Sequence, residues 1–302
     1  MVGLLTSGRR FFELDQLDAA LARLAQLRPD LTRIPPNAAS RAHDRSGSAW
    51  QSRDWAALRA LASPDFRYED RTKRALVSGD VETWIENQRF VQAASLERER
   101  IGAAGDRIAL ERVLWRGGPE EAPVEREHLR LTEVDGDGRI RASIRFDLDD
   151  RRAASVEMTE RYLRQVAGSI PPAGVAAMRV FLDHDLARLR AVLPDDFVLD
   201  DQRRAGVGRI EGPDAFLESL AALFEQAPDL VVETLYGVAA DARGVLEMAH
   251  LFGTLAASGG PFEGVYVRLW IFAGDRLAGI ELFEPEELDR ARERFEELGR
   301  RR

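Results

Sequence analysis

Apolar and polar residues follow two periods along the chain, one of about 3.6 residues and one of two residues. Apolar residues spaced three and four apart predict amphipathic helices. The predicted helices cover residues 54–61, 80–96, 185–192, 213–226 and 284–298. Asp54 and Asp185 each precede a stripe of this kind, where an acidic side chain favours the N-terminus of a helix.

Period-two alternation predicts β-strands between these helices. The predicted strands cover residues 107–115, 126–134, 139–146, 245–255, 264–273 and 276–283. Residues 135–138 (Asp-Gly-Asp-Gly) and 273–275 (Ala-Gly-Asp) separate two pairs of strands, and both have the composition of a hairpin turn. The order is two helices, a strand, a helix and several antiparallel strands, which is typical of an α+β domain rather than of βαβ units.

The same pattern occurs almost three times. Residues 54–61 match residues 185–192 at a constant offset of 131 (185 − 54), and seven of the thirteen positions from 54 to 66 are identical to their counterparts. A phenylalanine followed by acidic residues recurs at Phe12, Phe146 and Phe283, at spacings of 134 (146 − 12) and 137 (283 − 146). This period is that of a whole domain, so we predict an internal duplication.

The duplication divides the chain into three parts. We expect residues 1–27 to be the C-terminal strand and helix of a preceding repeat, and residues 28–167 and 168–302 to be two α+β domains. An isolated strand and helix cannot bury the apolar stripe of Leu17, Leu21 and Leu24. We therefore expect the chain to be the C-terminal part of a longer repeat protein; docking of residues 1–27 on another surface is the alternative.

Composition excludes several functional classes. The net charge of −9 over 302 residues argues against a nucleic-acid partner, and there are no cysteines for disulfides, thiolate catalysis or metal binding. The four histidines lack the spacing of a metal site, and residues 206–212 lack that of a dinucleotide loop. We expect no metal and no cofactor. No apolar run reaches the length of a membrane span, and no secretory signal is present, so we expect a cytoplasmic protein.

Residues 53–61, residues 65–70 (Asp-Phe-Arg-Tyr-Glu-Asp) and the closing strand at 138–147 resemble the SnoaL-like group of the nuclear transport factor 2-like superfamily. The resemblance covers nearly the whole chain, once as a remnant and twice in full. It implies an α+β cone in which helices pack on the concave face of a curved antiparallel sheet around a deep pocket. It does not imply one activity, because the family includes polyketide cyclases, dehydratases, isomerases, epoxide hydrolases and non-catalytic binding or dimerisation modules.

Tandem copies of this kind resemble the tail regions of some actinobacterial regulatory and cyclase-type proteins. The resemblance therefore favours a module that belongs to a larger regulatory protein, without placing a catalytic aspartate of the family's enzymes on this chain.

Acidic pairs end the first strand of each repeat. Asp70 follows Glu69, and Asp201 follows Asp200. Because strand side chains alternate, one carboxylate of each pair should point into the cone, where burial would raise its pKa and suit it to general acid–base catalysis. A solvated turn, or an ion pair with the arginines that follow, is the structural alternative.

Two further residues suggest chemistry in the first repeat. His128 alternates with Arg126 and Arg130 on a polar face, and we expect it to be catalytic together with Asp70 if the protein is an enzyme. Arg112 shares its phase with two leucines, so we expect a buried guanidinium that needs a carboxylate or an anionic ligand. The first pocket is then the more polar of the two. The residues that we expect to line the pockets are Tyr68, Trp84, Arg112, Trp115, Asp201, His250, Tyr266 and Trp270.

Two hypotheses follow from these patterns. The first is a binding or assembly module, in which the two repeats pack on each other as a pseudo-dimer and the pockets take a small apolar ligand or none. The second is a cofactor-independent lyase, isomerase or cyclase that uses a pocket carboxylate as general acid or base on a small apolar substrate. Convergence of polar groups inside an open cavity would discriminate between them.

Overall fold

The computed structural model describes residues 30, 32–73, 75–90, 93–117 and 124–300. The described residues from Ile34 onward form one compact unit. The predicted strand–helix remnant at residues 1–27 lies outside the described residues, and the predicted domain boundaries stay a prediction. We call residues 34–166 the first half and residues 170–300 the second half.

The first half contains four helices and six strands among the described residues. The helices are α1 (Ala38–Gln51), α2 (Trp55–Ala60), α3 (Val81–Phe90) and α4 (Arg151–Val166). The strands are β1 (Ala62–Asp70), β2 (Val77–Gly79), β3 (Ala93–Ala104), β4 (Ile108–Gly117), β5 (Val124–Val134) and β6 (Ile140–Phe146). A 3-10 turn at Leu148–Asp150 leads from β6 into α4.

The second half repeats this order. Its helices are α5 (Pro172–Asp183), α6 (Leu186–Val192), α7 (Pro213–Gln226) and α8 (Leu288–Glu297), the last preceded by a 3-10 turn at Pro285–Glu287. Its strands are β7 (Val198–Asp201), β8 (Gly208–Glu211), β9 (Val231–Asp241), β10 (Gly244–Thr254), β11 (Pro261–Ala273) and β12 (Arg276–Phe283). The mixed composition confirms the predicted α+β class.

Most of these boundaries follow from local signals such as capping residues and turns. The Asp54 carboxylate accepts a hydrogen bond from the Ala57 amide, and the Asp185 carboxylate accepts one from the Arg188 amide, both at 2.9 Å, which confirms that both aspartates are helix caps. The two predicted hairpin turns join β5 to β6 and β11 to β12.

Strands β2, β3, β8 and β9 were not predicted from the sequence. The helix predicted over residues 80–96 was wrong in its extent, because it ends at Phe90 and β3 begins at Ala93. Residues 97–100 of β3 read Glu-Arg-Glu-Arg, so charged side chains occupy both faces of the strand and leave no apolar phase to detect.

The strands of both halves form one continuous sheet of twelve, in the order β2-β1-β6-β5-β4-β3-β9-β10-β11-β12-β7-β8. The two halves meet where β3 lies parallel to β9, with Ala103 opposite Tyr236. The expected sheet was wholly antiparallel. The observed sheet is mixed, because β1 lies parallel to β6 and β7 lies parallel to β12.

Each half buries one face of its sheet under its first three helices. A tilted aromatic pair lies at equivalent positions in both cores: Phe66 with Trp84, and Phe197 with Phe216, have ring centroids 5.0 and 4.9 Å apart and the same interplanar angle of 39°. We call this covered side the interior face. The matching geometry supports the duplication that the sequence predicts.

Helix α4 covers the opposite face of the first-half sheet. The prediction placed helices on the concave face alone, so this opposite face was expected to be uncovered. Its residues Ala154 and Met158 pack in a cluster with Leu110 and Leu131, whereas Leu163 belongs to the core of the second half. Helix α4 therefore contributes to the cores of both halves. Within the described residues, no helix is long and apolar enough to cross a membrane.

Candidate functional site

A cavity of about 130 Å³ lies on the interior face of the second half. Its walls are mainly apolar and come from α5, α7 and strands β7, β9, β10 and β12. The apolar lining residues are Phe181, Leu199, Val207, Phe216, Leu220, Leu223, Phe224, Leu230, Val232, Leu251, Ile280 and Leu282. Polar side chains also reach the cavity, chiefly from β11 and from the end of β7.

Arg268 is a buried cation in the wall of this cavity. It lies opposite Glu247 in the β10–β11 register, and its Nη2 and Nε atoms lie 2.7 and 2.8 Å from Glu247 Oε1. Burial lowers the pKa of Arg268, but the Glu247 carboxylate and then Tyr266 outweigh it and leave the pKa raised. The Arg268 Nη1 atom is buried and has no hydrogen-bond partner among the described residues.

The Glu247 carboxylate is itself fixed by neutral donors. Trp270 Nε1 donates to Oε1 at 2.8 Å, and Thr234 Oγ1 donates to Oε2 at 2.6 Å. Trp270 was predicted to line the pocket. It instead hydrogen-bonds to Glu247 and is not among the lining residues. With its acceptor oxygens occupied in this way, Glu247 holds the Arg268 guanidinium in one orientation.

Asp201 and Arg203 form a second ion pair beside the cavity. The Asp201 carboxylate accepts hydrogen bonds from Arg203 Nε and Nη2, both at 2.8 Å, and from the Val207 amide at 3.0 Å. The Arg203 guanidinium lies 4.7 Å from the centroid of the Tyr266 ring. Burial raises the pKa of Tyr266, while Arg268 and Arg203 oppose that rise, so the phenol is neutral near pH 7.

Asp70 occupies the equivalent position in the first half, 131 residues before Asp201 (201 − 70), but in a more crowded place. One carboxylate oxygen accepts from Thr72 Oγ1 at 2.5 Å and from the Thr72 amide at 3.2 Å. The other accepts from Tyr68 Oη at 3.3 Å and from Arg145 Nη1 at 3.5 Å, with Arg126 Nη2 at 3.8 Å. The carboxylate is completely buried and surrounded by donors.

His128 is also buried on the interior face of the first half. Neither of its ring nitrogens has a hydrogen-bond partner among the described residues, and no described hydrogen bond or ion pair joins it to Asp70. Burial, together with Arg145, Arg130 and Arg126, lowers the pKa of His128 well below its usual value. The structure therefore places the two predicted catalytic residues on one face without bringing them into contact.

A second buried group in the first half was missed by sequence reasoning. Glu111 and Arg130 lie opposite each other in the β4–β5 register, as Glu247 and Arg268 do in β10–β11, and their charged atoms are 3.3 Å apart. His43 of α1 lies 2.7 Å from Glu111 through Nδ1. The signal in the sequence was a glutamate on one strand that pairs with an arginine on the next strand in both halves.

The interior of the first half is filled where that of the second is open. Arg145 lies beside Asp70 in the β1–β6 register, and its counterpart beside Asp201 is Leu282, which lines the cavity. Gln88 of α3 corresponds to Leu220, 132 positions later (220 − 88). With its amide assigned so that the oxygen faces the neighbouring donors, Gln88 accepts from Trp84 Nε1 and Arg145 Nη2.

The space left beside these residues is small. A void of about 10 Å³ is lined by residues that include the predicted pocket residues Trp84 and Trp115, together with Gln88 and Arg130. Tyr68 is fully buried in the same core. The larger polar side chains of the first half thus occupy the volume that leucines leave open in the second.

Arg112 does not lie on the interior face, which corrects the sequence expectation. Its side chain is 50% exposed and pairs with Glu127 and Glu99 on the opposite face of the sheet. The two neighbouring leucines misled the prediction, because Leu110 packs under α4 whereas Arg112, two residues further along the strand, is half exposed. Arg112 instead lines an open, charged groove with the surrounding glutamates.

His250 lies outside the second-half cavity. Its Nδ1 atom is 3.0 Å from Glu233 and its Nε2 atom is 2.8 Å from Glu263. Glu233 also accepts from Ser155 Oγ at 2.5 Å and from Arg151 Nε at 3.0 Å, both in α4. This predicted pocket residue therefore belongs to the junction between the halves.

In the part of the chain that the structure describes, one group of carboxylates is close enough to share a cation. Asp147, Asp149 and Asp150 offer oxygens that lie within 4.8 Å of one another. The Lys73 Nζ atom lies 2.5 Å from Asp149, and the Lys73 amide donates to Asp147 at 2.8 Å. These contacts explain the cluster without a metal ion.

Comparison with known proteins agrees with this fold. Residues 175–280 match the model of the SnoaL-like domain, which confirms the predicted resemblance for the second half. No curated protein matches the sequence. The tandem arrangement stays a prediction.

Solved structures similar to parts of this chain include three of low identity. A putative SnoaL-like polyketide cyclase from Jannaschia sp. CCS1 is 20% identical, with 37% of this chain and 85% of that chain covered and a TM-score of 0.32. A ketosteroid isomerase-like protein from Erwinia carotovora atroseptica is 24% identical, with 36% and 88% covered and a TM-score of 0.28. An uncharacterized cystatin fold protein from Novosphingobium aromaticivorans is 22% identical, with 37% and 95% covered and a TM-score of 0.32.

Proposed function

We propose that this protein is a small-molecule-binding module whose second half holds the ligand and whose first half is a scaffold. The observation that carries the proposal is the cavity of about 130 Å³ on the interior face of the second half. Apolar walls with a few polar groups are typical of a ligand site. An apolar cavity of about 150 Å³ takes up benzene, so the expected ligand has the size of about one ring.

The contrast between the two halves supports this division of roles. Arg145 and Gln88 occupy the first-half positions that Leu282 and Leu220 occupy beside the cavity. A binding site needs unfilled volume, whereas a tightly packed interior with buried ion pairs fixes one conformation. We assign the scaffold role to the first half for this reason.

Assembly is the second part of the proposal. The pairing of β3 with β9 and the two-sided packing of α4 are consistent with an intramolecular pseudo-dimer of the two repeats. We further propose, from the resemblance of such tandem copies to the tail regions of some regulatory proteins, that this module belongs to a larger regulatory protein.

Acid–base catalysis by Asp70 is the alternative function, and its surroundings argue against it. A general base needs a free oxygen within reach of a substrate proton. Both Asp70 oxygens face donors instead, from Thr72 on one side and Tyr68 and Arg145 on the other.

Benzene is a suitable first probe of the cavity. We expect it to bind the wild-type protein in saturation-transfer NMR and to raise the free energy of unfolding by about 1 kcal/mol at five times its Kd. Leu282→Phe should fill the cavity and remove both effects. Leu76→Phe, at an exposed position of the first half, is the control and should bind benzene normally. Equal binding by wild type and Leu282→Phe, or none by wild type, would reject the proposal.

A further inference from the structure

The loop that follows β7 lies between the second-half cavity and solvent. Residues 202–207 connect β7 to β8, and Asp201, Arg203 and Val207 line the cavity. Val207 is 60% exposed, and among the lining residues that the structure describes it alone is exposed. We propose that residues 202–207 form a lid, that the Asp201 carboxylate holds this lid closed, and that a ligand enters only when the lid opens. This inference rests on the proposed function, because it assigns the way into the same cavity.

Asp201 holds the lid near both of its ends. At the start of the lid, the Asp201 carboxylate accepts from the Arg203 amide at 3.3 Å and from the Arg203 guanidinium at 2.8 Å. At the end of the lid, it accepts from the Val207 amide at 3.0 Å. Hydrogen bonds to an ionised carboxylate are among the stronger ones in proteins. A single side chain therefore controls whether the whole lid is closed.

Gly206 allows the lid to pack directly on this carboxylate. A Cβ atom added at Gly206 would lie 2.7 Å from Oδ2 of Asp201 and closer still to Cγ and Oδ1, which is nearer than real Cβ atoms come to other heavy atoms. Asp201 cannot turn aside without losing its hydrogen bonds to Arg203 and Val207. Gly206→Ala therefore pushes the lid away from Asp201 without changing a charge.

The position of the lid at the edge of the sheet permits this movement. Strand β8 is the last strand in the order of the described sheet, and it pairs with β7. The Gln202 amide donates to the Leu282 carbonyl at 2.9 Å, and the Arg204 amide donates to the Glu284 carboxylate at 2.8 Å. Residues 205–207 can leave the mouth of the cavity without breaking either of these contacts.

The equivalent aspartate of the first half divides its contacts differently. One Asp70 oxygen accepts from Thr72 in the loop that follows, but the other faces Tyr68 and Arg145 in the interior. Both oxygens of Asp201 contact the lid instead. This arrangement thus occurs in the half that contains the larger cavity.

A thiol inside the cavity measures how often the lid opens. The chain has no cysteine, so Ile280→Cys places a single thiol in the cavity wall, at a position that is 3% exposed. When opening is fast relative to the reaction, the rate of its modification by methyl methanethiosulfonate follows the population of open molecules. We expect Gly206→Ala to raise this rate about tenfold, the factor that corresponds to one hydrogen bond to a charged group.

Two controls separate opening of the lid from a general loss of stability. Gly136→Ala adds a methyl group that meets no atom within 4 Å, so it should leave the rate of the Ile280→Cys thiol unchanged. Ala109→Cys places a thiol in the core of the first half, at a position that is 1% exposed, and Gly206→Ala should not change its rate. Asp201→Asn, which weakens the same contacts from the other side, should also speed modification of the Ile280→Cys thiol.

Thiol modification and benzene binding distinguish failure of the lid from failure of the ligand site. An unchanged rate for the Ile280→Cys thiol in both the Gly206→Ala and Asp201→Asn backgrounds would overturn the lid, even if the wild-type protein binds benzene. Equal acceleration of the Ile280→Cys and Ala109→Cys thiols would also overturn it, because the whole chain would then be opening. Faster modification of the Ile280→Cys thiol alone, with no benzene binding by the wild type, would support the lid and overturn the proposed function.

Discussion

At the scale of single residues, equivalent positions in the two halves have different consequences. Asp70 and Asp201 end equivalent strands and both hold the loop that follows, but Asp70 also compensates the buried Arg145. The sequence indicated Asp70 as a candidate catalytic residue and Asp201 as a candidate pocket residue. It could not predict their partners, because Arg145 lies 75 residues further along the chain and meets Asp70 only through the β1–β6 pairing.

This difference predicts unequal effects of one substitution. Asp70→Asn leaves the guanidinium of Arg145 buried without its carboxylate, so the free energy of unfolding should fall by about 3 kcal/mol. Asp201→Asn affects Arg203, which is 24% exposed and can be solvated, so the loss should be about 1 kcal/mol. Urea unfolding of both variants measures this difference. Equal, small losses would mean that Asp70 does not compensate Arg145.

The buried histidines predict a loss of stability in mild acid. Burial, assisted by Arg130 and opposed by Glu111, lowers the pKa of His43 to about 4, from about 6.5 in the unfolded chain. The unfolded state therefore binds the proton more tightly, and the contribution of His43 is complete above pH 6.5 and is lost as the pH falls toward 4. His128, whose pKa is also lowered by burial, acts in the same direction.

Urea unfolding at pH 7 and pH 5 checks this linkage. We expect His43 alone to account for a fall of about 2 kcal/mol in the free energy of unfolding between the two values. His43→Gln should lessen the fall by that amount. A wild-type protein as stable at pH 5 as at pH 7 would show that His43 titrates normally in the folded state.

At the scale of elements, the sequence predicted those whose signal is local. Capping aspartates, prolines and Asp-Gly turns define helices α2, α6 and α7 and two hairpins from neighbouring residues alone. Strand β3 and the packing of α4 were not predictable in this way. The charges of β3 match partners on β4 and in α1, and α4 covers a sheet face whose apolar phase is visible only once the strands are aligned.

The junction between α4 and β9 predicts which carboxylate holds the halves together. Glu233 is buried and accepts from Arg151 and Ser155 of α4 and contacts His250. Glu233→Ala should lower the free energy of unfolding by about 2 kcal/mol, because Ser155 and His250 lose their buried acceptor in addition to the ion pair with Arg151.

Glu263 provides the matched control for this substitution. It contacts the other nitrogen of His250 but is 71% exposed, so Glu263→Ala should change stability by less than about 0.5 kcal/mol. Calorimetry of the two variants measures both effects. A loss from Glu263→Ala as large as that from Glu233→Ala would contradict the assignment of Glu233 as the buried link.

At the level of the whole molecule, the two halves have the same order of elements and different interiors. The first half fills its interior with polar side chains, and the second leaves a mainly apolar cavity beside the buried Arg268–Glu247 pair. Family resemblance predicted the α+β fold and a pocket in each repeat. The site itself could not be read from the sequence, because it depends on side-chain volumes at Leu220 and Leu282 relative to positions in the other repeat.

A crystal structure of the protein soaked with benzene tests whether the ligand site lies in the second half. We predict density for one ring between α7 and β12. A ring bound on the interior face of the first half, beside Asp70 and His128, with the second-half cavity empty, would contradict the claim.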